Sequence, residues 1–176
     1  TEPVNIEFSD PLVKQILVES SSPRVDLNMD GEISSSEAAQ CSFLPAFRET
    51  EITTFDELRY FTGLSSIGNY AFYDCESLTS IILPSGITYI GKEAFNGCIN
   101  LSHISLPASI SSLGTKAFYA CRSLSSLGLP DNINEIGESA FAECSNLSII
   151  NIPKSLTSIE VNLFSGCKSL SNIELH

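Results

Sequence analysis

The chain has 176 residues, 43% of them hydrophobic, and a formal charge of −12 from 21 acidic against 9 basic side chains. That length gives one continuous core, as one domain or one domain with an appendage, and no run approaches the ~18 apolar residues of a membrane helix. The charge speaks against nucleic acid, whose phosphates need a basic face, and against anionic membranes, while it suits an exported protein and calcium.

The chain begins at Thr1 without methionine or signal peptide, which reads as a processed or trimmed product. Val4, Ile6 and Phe8 alternate as an extended lead-in. Ser9, Asp10 and Pro11 make a helix start, a capping side chain followed by proline in the first turn. The helix through LVKQILVES turns Leu12, Ile16 and either Leu17 or Val13 inward, and Ser20 to Pro23 stops it.

Asp26 to Glu37 then fills the pattern D-x-[DN]-x-[DN]-G-x5-E at every specified place. On the metal reading, Asp26, Asn28 and Asp30 supply side-chain oxygens and Gly31 makes the sharp turn. Glu32 turns in its carbonyl, Ser34 binds directly or through water, and Glu37 gives a bidentate carboxylate. Ile33 is the apolar anchor. One Ca²⁺ is the expected occupant, because that ion takes six to eight hard oxygens. The other reading is a solvated acidic turn, since Asp, Asn and Gly are ordinary turn residues. The preceding helix ends several residues early, so two helices do not flank the loop as in a full hand. The stretch resembles the loop-plus-helix half-hand of dockerin modules; the second half-hand is missing, so cohesin binding does not follow. An exit helix runs through Ser36 to Gln40. After it, Phe43, Leu44 and Phe47 are apolar enough to cover the open end of the stack formed by residues 52–176. Residues 1–51 thus form an N-terminal cap.

Residues 52–176 repeat. IGNYAFYDCESLTSIILP begins at Ile67, and copies begin at Ile90, Leu113, Ile136 and, in worn form, Ile159, always 23 residues on. Ile52 to Leu64 keeps the same register one period upstream, Phe55 standing against Leu78, Leu58 against Ile81 and Leu64 against Ile87, as a degenerate first repeat. A fixed period in this range is the mark of a solenoid. Within Leu-x-x-Ile-x-Leu-Pro, alternation puts Ile81 and Leu83 on one side of a short strand, with Ser80 and Ile82 on the other. Pro84 ends that strand. Such strands stack in parallel and in register, about 4.7–4.9 Å apart.

The return leg, Ile-Gly-x-x-Ala-Phe-x-x-Cys, has room for a helix of at most about two turns. Gly68, Gly91, Gly114 and Gly137 are expected to mark a tight bend. Phe72, Phe95, Phe118, Phe141 and Phe164 form a column of rings. Cys75, Cys98, Cys121, Cys144 and Cys167 form another. Neighbours one strand apart are within disulfide reach, but repeat symmetry points every thiol the same way and an odd ladder cannot pair completely. A column of buried free thiols is therefore expected, and the CxxC spacing of a zinc knuckle is absent. Cys41 stands apart.

The pattern LxxIxLPxxIxxIGxxAFxxCxx resembles the leucine-rich repeats of BspA-like bacterial surface proteins. The resemblance implies an α/β fold: a right-handed, arc-shaped leucine-rich repeat solenoid with a parallel concave sheet, here with a small helical N-terminal cap. It also implies a cell-surface or secreted, non-catalytic module that adheres to host or bacterial surface proteins. The last unit departs from the pattern with Glu160 for the glycine and Leu163 for the alanine, as a fraying or terminal coil does.

The strand pattern places Ser80, Ile82, His103, Ser105, Ser126, Gly128, Ile149, Asn151, Asn172 and Glu174 on the concave face. They are small and mostly uncharged, without the aromatic and arginine anchors that dominate interfaces. No reactive partner is placed beside His103 or His176, and no phosphate loop, GxSxG or HExxH occurs, so catalysis is not expected. Two readings stand: a protein-binding adhesion module, and a structural spacer presenting another segment. His176 leaves the Leu170 to Leu175 strand as an open edge through which copies could oligomerise.

Overall fold

The structure, a computed structural model, describes residues 4–175, Leu175 through its backbone alone. Each 23-residue unit returns beside the previous copy, because only then do its inward apolar positions meet. Two rows of short parallel strands result. The first row holds β1 (Thr54–Phe55), β3 (Ser80–Ile82) and β5 (His103–Ser105), then β7 (Ser126–Leu127), β9 (Ile149–Ile152) and β10 (Asn172–Leu175). The second holds β2 (Ser66–Ile67), β4 (Tyr89–Ile90), β6 (Ser112–Leu113) and β8 (Glu135–Ile136). Pairs such as Ser80 with His103 and Tyr89 with Ser112 keep the expected one-period register. The expected parallel-sheet solenoid is the fold.

The first coil departs from that register. Thr54 lies opposite Ser80 and Phe55 opposite Ile81, an offset of 26, whereas Ser66 lies opposite Tyr89, an offset of 23. The alignment of Leu58 with Ile81 is therefore corrected to Phe55 with Ile81. The three extra residues are taken up by a 3₁₀ turn, Asp56–Tyr60, between β1 and β2.

The return leg is not helical. It is a run of turns in which Ala71 N–H donates to Gly68 and Cys75 N–H to Phe72, with Tyr70 and Asp74 in the left-handed region at φ 58° and 51°. A helix would spend these amides inside the leg. Here Tyr70, Phe72 and Asp74 donate instead to the carbonyls of Lys92, Ala94 and Asn96 on the next coil, at 2.9, 2.8 and 2.7 Å. The same ladder recurs from Glu93 to Thr115, Lys116 to Glu138 and Ser139 to Val161.

The regular spacing of glycines also has another cause than a bend. Gly68, Gly91, Gly114 and Gly137 are not among the positive-φ residues. A Cβ on Gly91, Gly114 or Gly137 would instead stand 2.4–2.6 Å from the backbone nitrogen of the preceding coil. On Gly68, first of the column, it would meet nothing within 4 Å. Glycine is there so that adjacent coils can touch. At Glu160 a side chain stands at that position, and the second strand row does not continue. Gly91, Gly114 and Gly137 each donate to the preceding coil at 2.8 Å, the second strand row ends at β8, and Ile159 is 59% exposed where Ile136 is 2%.

Between the strand rows runs the ring column. Phe72, Phe95 and Phe118 stack at 5.2 Å within 6° of parallel, the spacing widening to 5.9 Å at Phe164, which is half-buried. Phe47 begins it, 5.4 Å from Phe72.

The cap packs on the first coil. Asp10 caps helix α1 (Pro11–Glu19) through Leu12 N–H and with its other oxygen accepts Thr53 N–H at 2.6 Å and its hydroxyl at 2.9 Å. Glu57 accepts Ser9 N–H and hydroxyl. The residues of α1 that are sealed are Val13 and Leu17, with Leu12 and Ile16 half-buried. Phe43, expected over the coil end, is instead 70% exposed; Phe47 alone enters the column, because its N–H pairs with Ala71 as a repeat phenylalanine would.

A substitution pair separates contact from bend. Gly114→Ala should destabilise by about 1–3 kcal/mol, the usual cost of overpacking, while Gly68→Ala should be neutral or slightly stabilising in urea denaturation. Equal losses at both would restore the bend.

Candidate functional site

The corrected register decides what the first strand row presents to solvent. One position beyond Phe55, Asp56 comes level with Ile82 and Ser105. Its carboxylate accepts the Ser80 hydroxyl at 3.1 Å, and Ser80 shares a second hydrogen bond with the Thr54 hydroxyl at 2.9 Å. Ile82 and Ile149 are 43% and 45% exposed, and His103, Ser105 and Ser126 are exposed beside them. His103 Nδ1 is hydrogen-bonded to the Ser102 hydroxyl. Asn151 is used otherwise. It is half-buried, and its amide accepts Leu129 N–H at 2.9 Å and donates to Leu129 C=O at 2.8 Å, standing in for a ladder pair. Its expected place as an open binding residue becomes a structural one.

The row is interrupted between β5 and β7, which are not paired. In front of the interruption lies an open depression of about 540 Å³, lined by Asp56, Ser80, Ile82, His103, Ile104 and Ser126 among others. The inward-facing Ile104 is half-buried here, where its counterparts Ile81 and Ile150 are sealed.

The 3₁₀ turn also carries anchors that sequence reading missed. Arg59 lies 4.9 Å over the Tyr60 ring, and both line a second groove with Val4, Ile6, Glu7 and Ser35. Asp56, Arg59 and Tyr60 fell out of the expected face because of the three-residue offset. The match of Thr53-Thr54-Phe55 with Thr79-Ser80-Ile81 was the available signal.

In the cap, residues 26–37 close on themselves. Asp26 accepts Met29 and Gly31 N–H, Asn28 accepts Asp30 N–H, and Asp30 accepts Glu32 N–H, while Glu32 also pairs with Lys14. Gly31, at φ 80°, makes the expected sharp turn. Ser34 caps helix α2 (Ser35–Gln40) in a reciprocal box with Glu37. Burial pushes the Glu37 carboxyl up, but hydrogen bonds from Ser34, Leu27 and Asn28 outweigh it and hold it below the usual range. Ile33 and Ser35 bond to the lead-in at Ile6 and Val4. Among the described residues no three His, Cys, Asp or Glu side chains are gathered as a metal cage.

The thiol column is sealed from Cys75 to Cys144, with Cys167 half-buried, and its members are free. Each sulfur donates to the phenylalanine carbonyl of the coil before, Cys98 to Phe72, Cys121 to Phe95 and Cys144 to Phe118 at 3.0–3.2 Å. Burial pushes Cys98 and Cys121 well above the ordinary thiol value and Cys144 up to about 12. Groups so protonated are poor nucleophiles.

A family model, the BspA type leucine rich repeat region, matches residues 46–176 in 6 copies. Three solved structures resemble the chain. A leucine-rich repeat protein from Bacteroides ovatus is 35% identical over 64% of this chain and 29% of its own, with a TM-score of 0.61. A leucine rich cell surface protein from Faecalibacterium prausnitzii is 34% identical over 76% of this chain and 32% of its own, at 0.62. The pneumococcal vaccine antigen PcpA is 26% identical over 76% and 32%, at 0.65. The chain thus spans 29–32% of the length of these three. None of the curated proteins matches it. The family match begins after the loop at residues 26–37.

The raised thiol values carry a pH signature. Folding favours the protonated thiol, so this stability is fully present below the unfolded value of about 8.5 and is lost as pH rises toward the folded value, about 12 for Cys144. The melting temperature should fall across that window, and less steeply in Cys121→Ala/Cys144→Ala. Iodoacetamide should label all six cysteines after unfolding without reductant. A flat alkaline profile together with fewer labels would mean bridged sulfurs.

Proposed function

The chain belongs to the BspA-type leucine-rich repeat family, and from that premise we propose that it is a cell-surface or secreted module that binds another protein, without catalysis, across the face of its first strand row. The observation that carries this is the coincidence on one face of exposed Ile82 and Ile149 with the open depression at the β5–β7 interruption. Exposed aliphatic side chains beside a concavity are what a partner can desolvate, and Tyr60 and Arg59, which line the separate groove against the cap, are of the residue types that dominate such contacts. The cell-surface relative from Faecalibacterium supports the location. Among the described residues no helix is long and apolar enough to cross a membrane. A host or bacterial surface protein is the proposed partner class.

We also propose one calcium ion at Asp26, Asn28, Asp30, Glu32, Ser34 and Glu37. The turn conformation and the left-handed Gly31 fit such a loop. Carboxylate oxygens have further lone pairs beside those given to amides. The ion would supply no chemistry beyond fixing the loop, and through α2 the cap, on the first coil.

One experiment addresses both. Surface plasmon resonance against a panel of extracellular-matrix and bacterial surface proteins, in millimolar calcium or chelator, should find saturable binding. Ile82→Asp/Ile149→Asp should weaken it about tenfold or more with unchanged melting. No saturable partner, or a variant that binds as the parent does, would leave the spacer reading. In parallel melting curves calcium should stabilise the parent, by about 2.7 kcal/mol at a hundredfold excess over Kd, and not Glu37→Ala. Equal curves with calcium and chelator would reduce the loop to an acidic turn.

A further inference from the structure

We propose that the depression at the β5–β7 interruption is a seat for a basic side chain, an arginine first, on an extended segment of the protein partner. This rests on the binding-face reading above and narrows it to a chemistry.

The interruption is local. Behind it the second strand row stays paired, Tyr89 with Ser112 and Ile90 with Leu113, and the Phe95 and Phe118 rings of the same two coils remain 5.2 Å apart. Only the solvent side opens, leaving Ile104 half-buried. The next coil adds no bulk, for Gly128 lies one period beyond Ser105 and a Cβ built on it would meet nothing within 4 Å. The space is formed by packed coils rather than by a mobile loop.

Its lining is amphipathic. Ile82 and Ile104 give an aliphatic wall, Ser80 and Ser126 give hydroxyls, and Asp56 is the only Asp, Glu, Lys or Arg among the lining residues. The carboxylate is half-buried and held by the Ser80 hydroxyl. Arg59 does not neutralise it directly. Its guanidinium lies over Tyr60 and bonds the main-chain carbonyl of Asp56. The Nδ1 atom of His103 is hydrogen-bonded to the Ser102 hydroxyl. The whole chain carries −12, so nothing in its long-range field opposes a cation. A side chain with an aliphatic stem and a charged, planar, multi-donor head fits such a lining. Arginine has both. An anionic or purely apolar segment would bury the Asp56 carboxylate with the Ser80 hydroxyl but no cation set against it, which is costly.

The test is a ¹H–¹⁵N NMR titration of the full chain with two peptides, acetyl-Leu-Arg-Leu-amide and its citrulline analogue, which keeps the planar shape and about three of the five N–H donors, puts a carbonyl oxygen in place of one amino group and removes the charge. The arginine peptide should shift the amides of Ile82, His103 and Ile104. The citrulline peptide should bind about fivefold more weakly, the scale of a partly exposed ion pair. Asp56→Asn, which retains an oxygen for Ser80, should remove the difference. Gly128→Val, which adds bulk in open space one period beyond the lining residue Ser105, should weaken both peptides while leaving the fold intact. Equal affinities, shifts confined to the acidic residues 26–37, or no shift at all would overturn the proposal. If Ile82→Asp/Ile149→Asp still abolished partner binding, the basic seat alone would fail. If that variant bound normally, the wider reading would fail with it.

Discussion

Everything in this molecule depends on coils lying close enough for backbone to touch backbone. Three contacts hold that distance in each turn: the strand rows, the return-leg ladder and the ring column. None is strong alone. A left-handed non-glycine residue costs roughly 1–2 kcal/mol, and the middle coils carry up to two of them, as at Lys116 and Ala120. Against that stand three return-leg hydrogen bonds per interface, such as those of Lys116, Phe118 and Ala120, each worth about 0.5–1.5 kcal/mol net. A buried phenylalanine adds about 3–5 kcal/mol by the truncation measure. The rings and bonds win, but only while no Cβ stands between the coils.

That condition accounts for where the regularity fails. At Glu160 the glycine is gone, the second strand row stops and Ile159 is left in solvent. Between β5 and β7 the rings and the second row hold but the first row parts, so the failure is confined to one face. The three-residue excess in the first coil is a further departure, and it puts Asp56 on the same face. The features on which the proposed binding rests are thus deviations from the repeat, placed on a scaffold that the repeat builds.

Period, strand positions, ring column and free thiols were legible in the sequence because each is a repeated residue type at one spacing. The helix start at Asp10 and Pro11 was legible for a local reason, a cap followed by a fixed φ. What sequence alone did not give was set by contacts between copies. The return leg is non-helical because its amides bond 22 residues onward, and the glycines are close-approach residues rather than bends. The first-coil register was misplaced because apolar positions at Phe55, Leu58 and Phe61 suit either offset, and all three are buried. That error hid Asp56, Arg59 and Tyr60. Asn151, expected to be free, was claimed by the broken ladder at Leu129.

The most direct test of the close-approach constraint restores it where it is missing. In Glu160→Gly, hydrogen exchange should slow at residue 160 and at Ile159 toward the protection of Gly137 and Ile136, as a fifth strand joins β8. If exchange there stays as fast as in the parent, the Cβ of Glu160 is not what ends the second strand row at β8, and the account of the glycine column is wrong.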